Sequence, residues 1–180
     1  PVVAHGGNAL LRLGFHMEEN DPEFPVLRER FLKIYENQLH KDTHLFPGME
    51  NVLEQLEAVR LVWGVITNKP EWLTRPLLRK LGLEQRAACI ICGDTVEPRK
   101  PHPAPLLYAC KVTGVEPGTA LYIGDAERDI MAGNAAGMHT LIALYGYIAD
   151  HERPETWQAD SMITAPHEIN AWIDRINQTS

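Results

Sequence analysis

From about residue 46 onward, short apolar runs and helix-period segments take turns without exception. Apolar runs occupy 61–67, 88–92, 119–124 and 139–144, and helical patterns occupy 48–59, 71–81, 103–112 and 127–136. A short run at Ser161-Met162-Ile163 and an amphipathic segment over 166–177 close the chain. Strands that alternate with helices pair in parallel, because each helix carries the chain back to the starting edge of the sheet. The runs are continuously apolar rather than alternating, as expected of strands covered on both faces. The predicted fold class is therefore α/β, a parallel sheet flanked by helices.

In such a sheet, ligands collect beyond the carboxyl ends of the strands. Leu61-Val62-Trp63-Gly64-Val65-Ile66 runs into Thr67-Asn68-Lys69-Pro70, and Ala88-Cys89-Ile90-Ile91-Cys92 leads on to Arg99-Lys100-Pro101-His102-Pro103. Ala120-Leu121-Tyr122-Ile123 leads directly into Gly124-Asp125-Ala126-Glu127-Arg128-Asp129. Taken singly, each has an ordinary structural explanation. Asp125 can cap the helix that follows it, Thr67 can be a strand-end hydroxyl, and Lys100 can be a solvated lysine. Together, three successive strand ends supply a hydroxyl, an ammonium and two carboxylates four positions apart. A carboxylate at such an edge suits a hard cation.

Residues 1–45 carry helical periodicity without strands: Leu10, Leu11 and Leu13, then Phe24, Leu27, Phe31, Ile34 and Tyr35, with Asn20-Asp21-Pro22 between two helices. His5-Gly6-Gly7-Asn8 opens the first of them. Backbone amides at a helix opening can hold an anion; a simple glycine-rich helix start is the alternative. Pro76 falls within the 71–81 pattern and is expected to bend or interrupt that helix. Trp63, Trp72, Trp157 and Trp172 read as packing groups, Arg99 and His102 as surface residues, and His139 and His167 as structural or exposed.

A net charge of −7 argues against a nucleic-acid surface. No apolar stretch approaches the length of a membrane span. Cys89, Cys92 and Cys110 sit among apolar residues and read as buried thiols rather than a redox or zinc site. A reducing, cytoplasmic setting is expected from them.

The segments Val65-Ile66-Thr67-Asn68, Lys100-Pro101 and Gly124-Asp125-Ala126-Glu127-Arg128-Asp129, in that order, resemble the second, third and fourth motifs of haloacid dehalogenase-type phosphatases. Within that superfamily the chain resembles the phosphoglycolate phosphatase group, through Thr67-Asn68-Lys69-Pro70, Lys100-Pro101-His102-Pro103 and Tyr145-Gly146-Tyr147; it is similar also to phosphatases of N-acetylmuramic acid 6-phosphate. The resemblance implies a Rossmann-like core over 46–180, with residues 1–45 as the C-terminal part of a small helical cap. It implies Mg²⁺-dependent hydrolysis of a small phosphomonoester, 2-phosphoglycolate or a sugar phosphate, through an aspartyl-phosphate. Asp125 would bind Mg²⁺, and Asp129 would act from behind it or through a water. Thr67 and Asn68 would donate to a phosphate oxygen. Lys100, placed next to Asp125, would neutralise phosphate charge and orient the nucleophile, and His5, Gly6 and Gly7 would reach the substrate from the cap.

One departure matters. The superfamily's first motif, Asp-x-Asp-Gly-Thr after a first strand, supplies the nucleophile and the acid/base, and no such stretch occurs in these 180 residues. Gly93-Asp94-Thr95 follows the wrong strand and lacks the paired Asp. The expectation is a chain that begins inside the cap, with the first strand missing and no activity of its own. Two rivals stand beside the phosphatase. One is a phosphomutase of the same fold. The other is a non-catalytic binding module, supported by the missing nucleophile and by Pro98-x-x-Pro101 as a polyproline-type ligand.

Overall fold

The computed structural model describes residues 7–18, 20–38 and 43–179. The chain divides into two compact units, Pro1–His44 and Leu45–Ser180. The first contains α1 (Gly7–Phe15) and α2 (Phe24–Gln38), both helical as their periodicity predicts. Leu11 and Phe24 are its buried side chains among the described residues.

In the second unit, helices and strands alternate: α3 (Met49–Ala58), β1 (Gly64–Ile66), α4 (Glu71–Lys80), β2 (Cys89–Ile91), α5 (Ala104–Thr113), β3 (Leu121–Gly124), α6 (Glu127–Ala135), β4 (His139–Ala143), β5 (Ser161–Ile163) and α7 (Glu168–Thr179). All pairings are parallel. β1 pairs β2 with Val65 opposite Ile90, β3 pairs β4 with Ile123 opposite Leu141, and β4 pairs β5 with Ile142 opposite Met162. The strands form two sheets, β1-β2 and β3-β4-β5, where the alternation predicts one. Among the described residues, β1 and β3 each keep one edge without a strand partner.

The core follows from the helical spacing. Val52 and Leu56 of α3 lie on one stripe and pack with Leu141, Ile163 and Ile169, while Leu53 meets Leu78 and Leu83. Leu106 of α5 packs with Ala132 of α6 and with Ala136 just past its end, joined by Tyr122 and Ile66. Exchanging any of these large apolar side chains for Ala would cost about 2–5 kcal/mol.

Three expectations need correction here. Pro76 does not interrupt α4, which runs continuously from Glu71 to Lys80. The proline costs one i→i−4 bond, and burial of the Leu73 and Leu78 face offsets that cost. Trp72 is exposed rather than packed, at 42 %, because it falls off that face. Trp63, Trp157 and Trp172 do pack into the core. Third, the predicted strand boundaries shrink, most at 61–67, where only Gly64–Ile66 is strand.

Cys92 and Cys110 are buried, Cys89 is half-buried, and all three are free thiols. Burial pushes each thiol above its ordinary pKa, which suits inert packing groups.

Candidate active site

The carboxyl ends of β1 and β3, and the loop after β2, meet around Lys100. This lysine is not the solvated surface cation that an isolated Lys in a proline-rich stretch suggests, since its side chain is 7 % exposed. Its ammonium donates to Asp129 Oδ1 at 2.7 Å, to Tyr122 OH at 2.8 Å and to Ile66 O at 3.0 Å. Its carbonyl accepts from Asn68 Nδ2 at 2.9 Å. One residue thus ties together the end of β1, the body of β3 and the first turn of α6.

Asp125 is the aspartate expected next to Lys100, but the ion pair of Lys100 is with Asp129. Asp125 precedes α6, whereas Asp129 lies within its first turn and is buried. Gly124 makes this possible, because a Cβ there would overlap the Asp129 side chain. Asp125 faces the loop after β4. Its Oδ2 accepts from the Tyr147 backbone N–H at 2.8 Å, and a side chain at Gly146 would collide with it. That leaves Oδ1 without a hydrogen bond among the described residues.

Thr67 continues the β1–β2 ladder, its N–H donating to Ile91 O at 2.9 Å. Its hydroxyl oxygen accepts from Lys69 N–H at 3.0 Å. This bond closes a turn within the loop and does not cap α4, which starts after Pro70 with no side-chain cap; the hydroxyl accepts in it, so its proton is not consumed. The Asn68 side-chain amide uses one of its N–H groups to donate to the Lys100 carbonyl.

The turn directly after β2, which carries no sequence signal of a site, buttresses it. Asp94 Oδ1 accepts from Glu71 N–H at the start of α4, and Gly93 N–H donates to Lys69 O, both at 2.9 Å. The Gly93-Asp94-Thr95 fragment is thus a brace for the Thr67–Lys69 loop, not a displaced nucleophile motif. Tyr122 was also missed as a site residue. Its phenol is pushed well above the ordinary range by burial and by the Asp129 carboxylate, so it stays protonated. Phe46, Tyr145 and Tyr147 form an aromatic cluster beside the Asp125 loop, with Phe46 edge-on to Tyr145 at 5.2 Å.

His5 and Gly6 lie outside the described residues, and Gly7 is the first residue of α1. Arg99 and His102 are exposed, as expected, and so is His167. His139 Nδ1 lies 3.6 Å from Asp160 Oδ2.

The profile of the haloacid dehalogenase-like hydrolases covers residues 8–143. The chain belongs to the haloacid dehalogenase-like hydrolase family.

Within this family, a phosphoglycolate phosphatase of Xanthomonas campestris pv. campestris (strain 8004) is 44 % identical over 170 residues, covering 94 % of this chain and 76 % of that protein. An N-acetylmuramic acid 6-phosphate phosphatase of Pseudomonas putida is 38 % identical over 173 residues, covering 96 % of this chain and 78 % of that one. The crystal structure of a predicted phosphoglycolate phosphatase from Haemophilus somnus 129PT superposes with a TM-score of 0.78 at 26 % identity, over 96 % of this chain and 74 % of that one. A β-phosphoglucomutase from Clostridium difficile shares the fold, with a TM-score of 0.73 at 19 % identity, over 98 % and 77 % of the two chains. These likenesses support the α/β class with helices around parallel strands. Among the described residues, no helix is long and apolar enough to cross a membrane.

Proposed function

We propose that this protein hydrolyses a small phosphomonoester, 2-phosphoglycolate or a sugar phosphate, through an aspartyl-phosphate. The observation that carries this reading is the convergence on Lys100 of the β1 end, the β3 strand and Asp129. A buried, compact cation beside a hydroxyl and a backbone N–H is the combination that binds and stabilises a transferring phosphoryl group. Thr67 and the Asn68 N–H would each donate to a phosphate oxygen, and Lys100 would balance its charge.

The donor set fits Mg²⁺. Among the described residues no group of three His, Cys, Asp or Glu side chains could cage a metal. Mg²⁺ needs no such cage, since it is commonly held by one or two carboxylates, the substrate phosphate and waters. Asp125, fixed at Oδ2 and open at Oδ1, would be the direct ligand. Asp129, already engaged by Lys100, would act from behind or through a water. Bound there, the ion would supply charge stabilisation to the phosphoryl oxygens.

The proposal assigns the nucleophile and the acid/base to an Asp-x-Asp-Gly-Thr segment that is not among these 180 residues. The sheet supports this assignment. A strand laid between the unpaired edges of β1 and β3 would join the two sheets into one. Its carboxyl end would then lie between Thr67 and Asp125, where a nucleophile is required. Residues 1–45 would be the C-terminal part of a helical cap, and His5, Gly6 and Gly7 would contribute to substrate binding from it.

The deciding experiment is a panel of phosphomonoesters offered with Mg²⁺ to the protein carrying that segment. Mg²⁺-dependent release of orthophosphate from 2-phosphoglycolate or a sugar phosphate supports the reading. Intramolecular phosphoryl transfer without release would favour a phosphomutase, and no turnover of any ester would leave a binding module.

A further inference from the structure

A lysine ammonium has three N–H donors. In Lys100 all three are in use, toward Ile66 O, Tyr122 OH and Asp129 Oδ1, at 3.0, 2.8 and 2.7 Å. A phosphate oxygen that accepts from this ammonium must therefore displace one of them. The Asp129 bond is charge-assisted and joins two buried ions, so it is the costliest to break. Ile66 O is a main-chain carbonyl at the end of a strand and cannot move alone. The Tyr122 hydroxyl is neutral, and it keeps a partner if released, because it lies 3.4 Å from Ile66 O as a donor.

The ring that carries this hydroxyl is held in place. It packs against Leu106, Ala132 and Ala136, and the Lys100 ammonium meets it beyond its hydroxyl edge, 5.5 Å from the ring centroid. The oxygen is therefore a fixed point rather than a mobile one. We propose that Tyr122 is a positioning residue for Lys100: its hydroxyl holds the ammonium between β1 and β3 and gives up that place to a phosphate oxygen when substrate enters. This rests on the phosphatase reading for the identity of the incoming oxygen, but the holding of Lys100 does not.

The first test needs no turnover. Tyr122→Phe keeps the ring and its packing and removes only the hydroxyl. In the 180-residue chain, the ¹⁵N-detected ammonium signal of Lys100, assigned by its loss in Lys100→Arg, reports exchange of the ammonium protons with water. Loss of one hydrogen bond should speed that exchange about two- to tenfold, as its net worth implies. An unchanged exchange rate in a variant with the wild-type amide spectrum overturns the proposal, whatever the activity proves to be.

The second test uses the protein carrying the nucleophile segment. Tyr122→Phe should lower kcat for the phosphomonoester by about two- to tenfold. KM and inhibition by orthophosphate should not weaken, because the phosphate no longer has to displace a competitor. An unchanged kcat, or weaker orthophosphate binding that matches the loss of rate, overturns the proposal. A wild-type protein that hydrolyses no ester would instead refute the phosphatase reading and leave the exchange measurement to decide the role of Tyr122.

Discussion

Asp129→Asn isolates the structural worth of the pair on which the site is built. The side chains of Lys100 and Asp129 are 7 % and 8 % exposed and their charged atoms are 2.7 Å apart. At that burial, water screens little, so the small value of exposed pairs does not apply. Removing one partner of a buried pair costs about 3–5 kcal/mol, because the other charge is left without compensation. Asparagine is nearly isosteric and its carbonyl can still accept from the ammonium, which points to the lower end, about 3 kcal/mol. For a domain of this size each kcal/mol moves Tm by roughly 2–4 °C, so the expected shift is roughly 6–12 °C downward. The assay is thermal unfolding followed by circular dichroism, with urea unfolding as a check. The double variant Lys100→Met/Asp129→Asn should recover part of the loss, since it removes the stranded cation as well. A loss below about 1 kcal/mol, the range of a surface pair, or a double variant less stable than Asp129→Asn, would refute the reasoning.

Two further outcomes follow from the same geometry. Asp125→Asn, in the protein carrying the nucleophile segment, should keep the contact with Tyr147 N–H but lower Mg²⁺-dependent turnover at least about a hundredfold, the scale of losing a few kcal/mol of charge stabilisation; titrating Mg²⁺ against rate checks it. Glu168 is held below the ordinary carboxylate pKa by the Thr164 hydroxyl, then by the Thr164 and Ala165 N–H groups. A depressed folded pKa gives stability that is present above the unfolded value, about 4.3, and is lost as pH falls through the folded one. Acid unfolding of Glu168→Gln should therefore show a shallower fall in stability below about pH 4.3 than the wild type.

Most of the architecture was legible because it depends on local pattern. The 3.6-residue spacing of Val52, Leu53 and Leu56 and the unbroken apolar runs before Thr67 and Gly124 each specify an element without help from the rest of the chain. The order of the site was legible for the same reason, since strand ends are where such residues gather. What was not legible depends on distances between elements. Nothing in Arg99-Lys100-Pro101 shows that Lys100 is buried; that requires α6 to bring Asp129 against it. Tyr122 looks like one more apolar residue of a strand, and its hydroxyl has meaning only because β3 lies opposite Ile66. Sequence order puts both Asp125 and Asp129 within reach of Lys100, and it cannot tell which aspartate of a turn faces inward. The split between β1-β2 and β3-β4-β5 was also invisible, because apolar runs declare strands but not their neighbours.

The central claim is that the ends of β1 and β3 and the loop after β2 form one site for a cation and a phosphate. Its most direct measurement is the position of Mn²⁺, as an anomalous scatterer replacing Mg²⁺, in crystals grown with orthophosphate and the protein carrying the nucleophile segment. One anomalous peak is expected within about 2.2 Å of an Asp125 carboxylate oxygen, the distance typical of a hard divalent cation, with phosphate oxygens in hydrogen-bond reach of Thr67 Oγ1 and Lys100 Nζ. A cation bound away from Asp125, or a phosphate that contacts neither Thr67 nor Lys100, would contradict it.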